Sequence, residues 1–206
     1  DGALQRGASW PTPRFTVVRC NQSGPCADQN ADCDYGETVT GTDVVIDQLT
    51  GLMWMRDGNY FDWPTYGTTL SFVFLNLNGY INVPDSGYNI CGYHDWRVPN
   101  VNEMASLLNP GQAPEWLNTQ GFVDIRQKYW TSTTSAYSPS EGWYVSLGGS
   151  IWRTGKYAGS ERPFFLLVRD SMIQPRSQVI RTGQTACYST SGSVIPCADN
   201  RSSKML

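Results

Sequence analysis

The sequence has few of the residues on which enzymatic and metal-dependent chemistry usually rests. It contains one histidine, no CxxC pair and no GxSxG segment. Zinc sites, thioredoxin-type exchange and hydrolases with a nucleophile elbow are therefore poorly matched. We predict a non-enzymatic protein with no catalytic residue and no obligatory cofactor.

The chain also lacks an excess of positive charge and a long apolar run. It has 15 Lys and Arg residues against 18 Asp and Glu residues, which disfavours nucleic acid as a partner. The best apolar run, Phe72 to Leu77, is far shorter than the roughly 18 residues that suggest a membrane-spanning helix. We expect neither a nucleic-acid partner nor a membrane span.

What the chain does contain is enough apolar and aromatic material for a folded domain. Hydrophobic residues make up 40% and aromatic residues 13% of its 206 residues, which excludes disorder and fits one domain plus an appendage. We place the domain at residues 1–170, with an extended N-terminal lead-in, and a β-rich tail at residues 171–206.

Cysteine usage indicates an oxidising compartment. An even number of cysteines beside a single histidine favours disulfides over metal ligation, although many pairings remain open. Cys187 and Cys197 flank a segment in which Ser191-Gly192 predicts a hairpin turn, so they form the favoured pair. The six cysteines are Cys20, Cys26, Cys33, Cys91, Cys187 and Cys197.

The start of the chain is also informative about location. It begins at Asp1 with no hydrophobic leader, which predicts a mature secreted protein whose leader has been removed. A chain shortened for expression is the alternative. We expect an extracellular or cell-surface location.

Strand and turn signals predict a hairpin early in the chain and more strands late. The early hairpin joins residues 43–47 to residues 52–56 through a turn. The later strands are predicted at residues 129–133, 142–147, 150–153 and 164–168.

Two helices are predicted between these groups of strands. The first starts near Asp62, has proline in its first turn and continues to about Leu77. The second starts at Asn100, which forms a capping box with Glu103, and buries Met104, Leu107 and Leu108. Two helices followed by an antiparallel run of strands indicate an α+β fold.

The dipeptide His94-Asp95 suggests a catalytic pair, because a carboxylate can orient an imidazole. Adjacent residues in a turn rarely reach that geometry. We favour a structural interpretation, in which Asp95 caps a turn, Trp96 packs in the core and Arg97 pairs with Glu103.

One acidic segment, DQNADCDYGE, resembles an oxygen-ligand calcium loop. Cys33 stands where such loops need glycine, and Val39 stands where they need glutamate. A solvated acidic loop is therefore the favoured alternative to a Ca²⁺ site. The candidate ligands are Asp28, Asn30, Asp32, Asp34 and Glu37.

Four aromatic residues late in the chain are candidates for stacking on sugar rings, because their flat faces suit that contact. They are Trp143, Tyr144, Trp152 and Tyr157. On alternating strands about half of such residues face the core, so burial is the competing interpretation.

Four segments in order along the chain resemble a known family. They are LTGLMW at 49–54, GYHDWRVPNVNEMASLL at 92–108, YWTST at 129–133 and FFLLVRD at 164–170. Together they resemble, over residues 1–170, the bacterial secreted family named for the C-terminal domain of a Legionella collagen-like adhesin. The resemblance implies a C-type-lectin-like domain with two helices and a mainly antiparallel sheet, a surface location, and adhesion or ligand display.

The chain departs from the patterns of calcium-dependent sugar-binding lectins. The EPN, QPD and WND triplets of those lectins are absent. His94 stands where the family usually has a small residue, so it inherits no role.

The order of the two ends suggests self-assembly. In related proteins a segment like GQTACYSTSGSVIPCADN precedes one like DGALQRGASWPTPRFT, whereas here the first is C-terminal and the second N-terminal. The tail of one subunit is therefore predicted to supply the lead-in of the next, in a head-to-tail filament. A tail that folds back on its own domain is the alternative. The residues predicted to take part are Trp10, Phe15, Val179, Ile180, Cys187, Tyr188, Val194 and Ile195.

The predicted function is thus an extracellular structural protein that binds copies of itself in a surface appendage. The alternative is an adhesin that binds a surface glycan or protein as a monomer or small oligomer.

Overall fold

The computed structural model of the protein describes seven stretches of the chain. They are residues 11–20, 43–61, 77–83, 90–156, 163–171, 186–189 and 191–195. No helix in these stretches has both the length and the apolar character needed to cross a membrane.

The described stretches contain short helices and nine strands. The helices are α1 (Val101–Ala105), α2 (Trp116–Thr119) and a π-helical turn (Leu77–Ile81). The strands are β1 (Phe15–Val18), β2 (Val44–Asp47), β3 (Leu52–Met55), β4 (Lys128–Thr134), β5 (Glu141–Ser146), β6 (Ser150–Gly155), β7 (Val168–Asp170), β8 (Cys187–Tyr188) and β9 (Val194–Ile195).

The first sheet is built around the predicted early hairpin and has the order β1-β2-β3-β7, with every pair antiparallel. The hairpin prediction is confirmed, because Asp47 lies opposite Leu52. The Gly51 amide closes the turn by donating to the Asp47 carbonyl at 2.8 Å. Gly51 has a φ of 69°, which glycine adopts without the penalty of a Cβ.

Asp47 also fixes the first sheet to the segments around it. Its carboxylate accepts two bonds from Arg14, at 3.0 and 2.7 Å, and one from the Thr50 hydroxyl at 2.9 Å. The Arg14 guanidinium donates as well to the Ser106 carbonyl, just after α1, at 2.7 Å. Both charged side chains are almost completely buried. Such a pair is costly to break, since either partner alone would be a buried charge.

α1 confirms the predicted capping box. The Asn100 side chain accepts from the Glu103 amide, and the Glu103 carboxylate accepts from the Asn100 amide. Met104 and Leu107 are buried as predicted, whereas Leu108 is half-buried. The helix itself ends at Ala105, so it is shorter than the apolar stripe suggested. The other predicted helix, at 62–77, lies outside the described residues except for Leu77, which begins the π-helical turn.

The second sheet has the order β4-β5-β6 and confirms three predicted strands. β5 and β6 pair from Ser146 opposite Ser150 to Glu141 opposite Gly155. The turn between them closes with the Gly149 amide donating to the Ser146 carbonyl at 2.9 Å. β4 carries an irregularity in its register between Trp130 and Thr134.

The predicted strand at residues 164–168 is wrong in position. The strand of this region is β7, which starts only at Val168. Phe164 forms a single bridge with Tyr129, and the Leu167 carbonyl accepts from the Met55 amide at 3.0 Å. Residues 165–167 are nearly fully buried. A short continuous apolar run indicates burial but does not by itself specify a strand ladder.

One disulfide lies within the described residues and joins Cys20 to Cys91, with their Cα atoms 5.0 Å apart. From the sequence alone, this pairing is one of many that six cysteines allow. Cys26, Cys33 and Cys197 lie outside the described residues, so the pairing of Cys187 with Cys197 stays a prediction.

Both sheets and α1 contribute to one buried cluster. Trp54 of β3, Tyr129 of β4 and Met104 of α1 all have no exposed surface in it. The Tyr129 hydroxyl donates to the Gly58 carbonyl at 3.0 Å and accepts from the Arg126 amide at 2.7 Å, and burial raises its pKa. Antiparallel sheets with a few short helices are compatible with the predicted α+β class. The C-type-lectin-like topology and the boundary at residue 170 remain predictions.

Candidate assembly and ligand-binding surface

The edge of the second sheet is exposed. The first four residues of β6 are exposed, and they include Trp152 at 61% and Ile151 at 41%. Tyr137, in the loop between β4 and β5, is 84% exposed. Large apolar side chains in such positions often mark a binding surface when they lie together. We refer to Tyr137, Trp143 and Ile151 as the aromatic patch, because Arg153, which contacts Tyr137 and lies opposite Trp143, shares its side of β6 with Ile151.

Arg153 of β6 links Tyr137, in the loop between β4 and β5, to the second sheet. Its guanidinium carbon lies 4.9 Å from the centre of the Tyr137 ring, within the range of a cation–π contact. Its Nε atom lies 2.8 Å from Oε2 of Glu141. Two polar groups of opposite charge therefore border an exposed aromatic ring.

The predicted sugar-stacking residues do not form one face. Tyr144 and Trp152 are cross-strand partners, but Tyr144 is buried against Trp130. Trp143 lies opposite Arg153 and is half-buried. Since neighbouring residues of a strand point to opposite faces, Trp143 is on the other side of the sheet from Trp152. Tyr157 lies outside the described residues.

The tail contains a small hairpin, which we call the C-terminal hairpin, residues 186–195. Cys187 pairs with Ile195 and Tyr188 with Val194. The predicted turn at Ser191-Gly192 is present, with the Gly192 amide donating to the Ser189 carbonyl at 3.0 Å and the Ser189 amide to the Ser193 carbonyl at 2.8 Å.

The C-terminal hairpin contacts its own chain at the end of β6. The Lys156 ammonium donates to the Ser189 carbonyl at 3.4 Å and lies 5.9 Å from the centre of the Tyr188 ring. The turn at Gly192 lies against the backbone of Pro139 and Ser140. We call Pro139, Ser140 and Lys156 the receiving site.

Lys156 is unusual among the lysines of a protein surface because it is 4% exposed. Burial lowers its pKa to about 8. The cause is desolvation, which penalises the charged ammonium. Burial of this side chain therefore favours the neutral amine.

Within the described part of the chain, the residues around His94 make contacts that hold the fold together. The Asp95 carboxylate accepts two bonds from Arg169, at 2.6 and 3.2 Å, and the guanidinium of Arg169 stacks 3.7 Å from the centre of the Tyr93 ring. Asp95 thus binds a distant arginine, and the prediction that it caps a turn missed this role. Its carboxylate is not directed at His94, which is exposed.

The next two residues follow the structural interpretation. Trp96 is fully buried. Arg97 donates two bonds to Glu103, at 2.6 and 2.7 Å, which confirms the predicted pair. Burial alone would lower the pKa of Arg97, but the bonds and charge of Glu103 and Asp170 raise it overall. Arg97 also forms a backbone bridge with Val168, with both N–H···O bonds at 2.9 Å.

The candidate calcium ligands lie in residues 28–37, outside the described residues, so that site stays a prediction. Among the residues that are described, no group of three or more His, Cys, Asp or Glu side chains is placed to hold a metal ion.

The predicted self-assembly residues are placed in two regions. Phe15 is buried in the core, with edge-on contacts to Trp116 and Phe122 at centroid distances of 6.0 and 5.4 Å. Val194, by contrast, is 72% exposed on the C-terminal hairpin. Trp10, Val179 and Ile180 lie outside the described residues.

Sequence reasoning missed Tyr137 and Lys156. Tyr137 had a usable signal, since a large aromatic residue inside the polar loop SAYSPSEG has no core to join. Lys156 had none, because its burial depends on residues that are more than 30 positions away.

Comparison with known proteins identifies the family of this chain but no individual relative. No curated protein and no solved structure matches significantly. The family model described as the Lcl C-terminal domain matches residues 43–169, more than half of the chain. The match includes all of the second sheet, β2 and β3 of the first sheet, and the first two residues of β7. This chain therefore belongs to the Lcl C-terminal domain family, which is named for a surface-associated collagen-like adhesin of Legionella.

Proposed function

We propose that this protein is an extracellular, non-enzymatic structural subunit that assembles head-to-tail into a surface appendage through its terminal segments. The observation that supports the proposal is the C-terminal hairpin, which lies beyond the family match at 43–169. In the single chain described it contacts its own domain at the receiving site, and a neighbouring chain can supply the same contact. The surface-associated family supports the location.

The C-terminal hairpin is an element separate from the two main sheets, because the hydrogen bonds of its strand pair and turn join residues within the hairpin itself. A two-stranded hairpin is marginally stable alone in water, so it needs a surface on which to dock. A contact between different surfaces of two subunits is heterologous, and it propagates into a filament unless the rotation closes a ring.

Electron microscopy of the full chain tests this function directly. We expect regular fibres from the full chain and dispersed particles after deletion of residues 181–206, with light scattering as a second measurement. Fibres that are unchanged by the deletion would contradict assembly through the tail.

The aromatic patch supports a second candidate, an adhesin that binds an external glycan or protein as a monomer or small oligomer. Tyr137 and Trp143 present flat apolar faces, while Arg153 and Glu141 supply polar groups at the border. Sugar rings favour this combination of a stacking face and hydrogen-bonding groups.

A glycan array with variant proteins tests this candidate. Tyr137→Ala is expected to lower binding by about fivefold, because loss of an aromatic contact costs on the order of 1 kcal/mol. Tyr80→Ala is the matched control, since Tyr80 is also exposed but lies on the π-helical turn. Equal losses in both variants, or no binding by the unmodified protein, would rule out the patch as the glycan site.

A further inference from the structure

The turn of the C-terminal hairpin fits the receiving site through its backbone. A Cβ atom added at Gly192 would lie 2.8 Å from the Ser140 amide nitrogen and 3.1 Å from the Pro139 carbonyl carbon. Real Cβ atoms do not approach backbone this closely, so any larger residue would push the turn away. The φ of Gly192 is 88°, which also favours glycine.

The receiving site is held together without the hairpin. The Lys156 amide donates to the Ser140 carbonyl at 3.0 Å, and the Glu141 amide donates to the Ser138 carbonyl at 2.8 Å. These bonds fix the loop at Ser140 to the end of β6. The site therefore keeps its shape whichever chain supplies the hairpin.

The hairpin can move as a unit. Its strand pairing and turn bonds all lie within residues 187–195, so its transfer from one chain to another breaks none of them. The sequence between the domain and the hairpin, residues 172–185, has a maximum reach of roughly 50 Å if fully extended. That length permits the hairpin to contact either its own domain or a neighbouring one.

We propose that the receiving site formed by Pro139, Ser140 and Lys156 binds the C-terminal hairpin of a second copy of this chain. The contact described within one chain is then exchanged between chains, which is domain swapping. Because the swapped and unswapped contacts are the same, linker length and local concentration decide between them. This inference rests on the proposed head-to-tail assembly and specifies the surface that carries it.

A mixing experiment with two full-length variants tests the exchange. Gly192→Val disables the hairpin but keeps the receiving site, whereas Lys156→Glu disables the receiving site but keeps the hairpin. Each variant alone is expected to be monomeric by light scattering coupled to size-exclusion chromatography. An equimolar mixture is expected to give a particle of twice the monomer mass, since one productive contact remains.

Two further variants control for strain and for misfolding. Gly149→Val places valine at a φ of 104° where nothing lies within 4 Å of the added Cβ, so it has the strain without the clash. In this control, Gly149→Val replaces Gly192→Val in the mixture with Lys156→Glu. The receiving site of the Gly149→Val chain is expected to bind the hairpin of the Lys156→Glu chain, and the hairpin of the Gly149→Val chain is expected to remain functional. If Lys156→Glu fails to fold, Lys156→Ala replaces it.

The outcomes separate this inference from the proposed function. A mixture of Gly192→Val and Lys156→Glu chains that stays monomeric overturns the receiving site, even if the unmodified protein forms fibres by another route. A heterodimer in the mixture supports the receiving site, even if the unmodified protein forms no fibres and the head-to-tail function fails.

Discussion

The two main sheets of this domain differ in what they expose. All four residues of β3, in the first sheet, are buried, whereas the first four residues of β6, in the second sheet, are exposed. The first sheet holds a buried ion pair between Arg14 and Asp47, and the second has a half-exposed pair between Arg153 and Glu141. Both sheets contribute to the buried cluster, and the second sheet also presents the exposed residues of β6 at its edge.

This difference separates stability from binding along the chain. A substitution in the first sheet changes folding before it can affect a partner. A substitution on β6, or at the adjoining receiving site, can change a binding surface while the buried cluster remains intact. Equivalent changes in the two sheets should therefore have very different effects on the free energy of unfolding.

Loss of one charge from each sheet gives the largest expected contrast. Asp47→Ala leaves Arg14 buried and without its carboxylate, so the free energy of unfolding should fall by about 3–5 kcal/mol. Arg153→Ala, its counterpart on β6, should cost less than about 1 kcal/mol because that pair is accessible to water. Urea denaturation monitored by tryptophan fluorescence compares them, and similar losses would show that the sheets contribute alike.

Removal of the disulfide should weaken the first sheet selectively. Cys20 follows β1, and its bond to Cys91 closes a loop with a sequence separation of 71 residues. The double variant Cys20→Ser with Cys91→Ser should lose about 2–4 kcal/mol in the free energy of unfolding, because its unfolded chain is less constrained. It also loses the covalent tether just after β1, which should let this strand open more often than the rest of the domain. Amide hydrogen exchange should accelerate more at β1 than at β5. Uniform acceleration would contradict a local role for the bond.

The pH dependence of Lys156 should sharpen the contrast at the edge of β6. The pKa of Lys156 is lowered to about 8 from its ordinary value of 10.5. The unfolded chain therefore binds more protons than the folded chain between these values, and stability should increase as pH rises through this window. We expect a gain of about 1–2 kcal/mol, reduced from the full linkage by partial access of water.

The matched variant for this measurement is Lys156→Met, which keeps the length of the side chain and removes the charge. It should show a smaller rise in stability from pH 8 to 10.5, because the other titrating groups are unchanged. Parallel curves for the two proteins would mean that Lys156 is solvated in the folded state.

Trp152→Ala should have the smallest effect on folding. Trp152 is 61% exposed, and surface substitutions usually change stability by about 0.5 kcal/mol or less. Differential scanning calorimetry should give a nearly unchanged Tm. A loss above 2 kcal/mol would place this tryptophan among the residues that stabilise the second sheet.

Local sequence patterns predicted the parts of the fold that close over short distances. The hairpin of β2 and β3, the capping box of Asn100 and Glu103, and the pairing of Arg97 with Glu103 all join residues separated by few positions. Their geometry follows from turn and helix chemistry, and these predictions are confirmed.

Contacts between distant residues could not be predicted in this way. Asp95 binds Arg169, 74 positions away, and the receiving site joins Lys156 to Ser189, 33 positions away. These partners depend on how complete strands pack, which composition and periodicity do not specify. Trp143, Tyr144 and Trp152, by contrast, lie on different faces because side chains alternate along a strand, which the sequence already indicated.

The backbone bridge between Arg97 and Val168 has a consequence for solubility. It occupies part of the outer edge of β7, so one end of the first sheet is shielded from pairing with a foreign strand. Exposed sheet edges are the sites at which proteins stack into aggregates. A protein at high local concentration benefits from such a barrier, because non-specific aggregation through sheet edges is then suppressed.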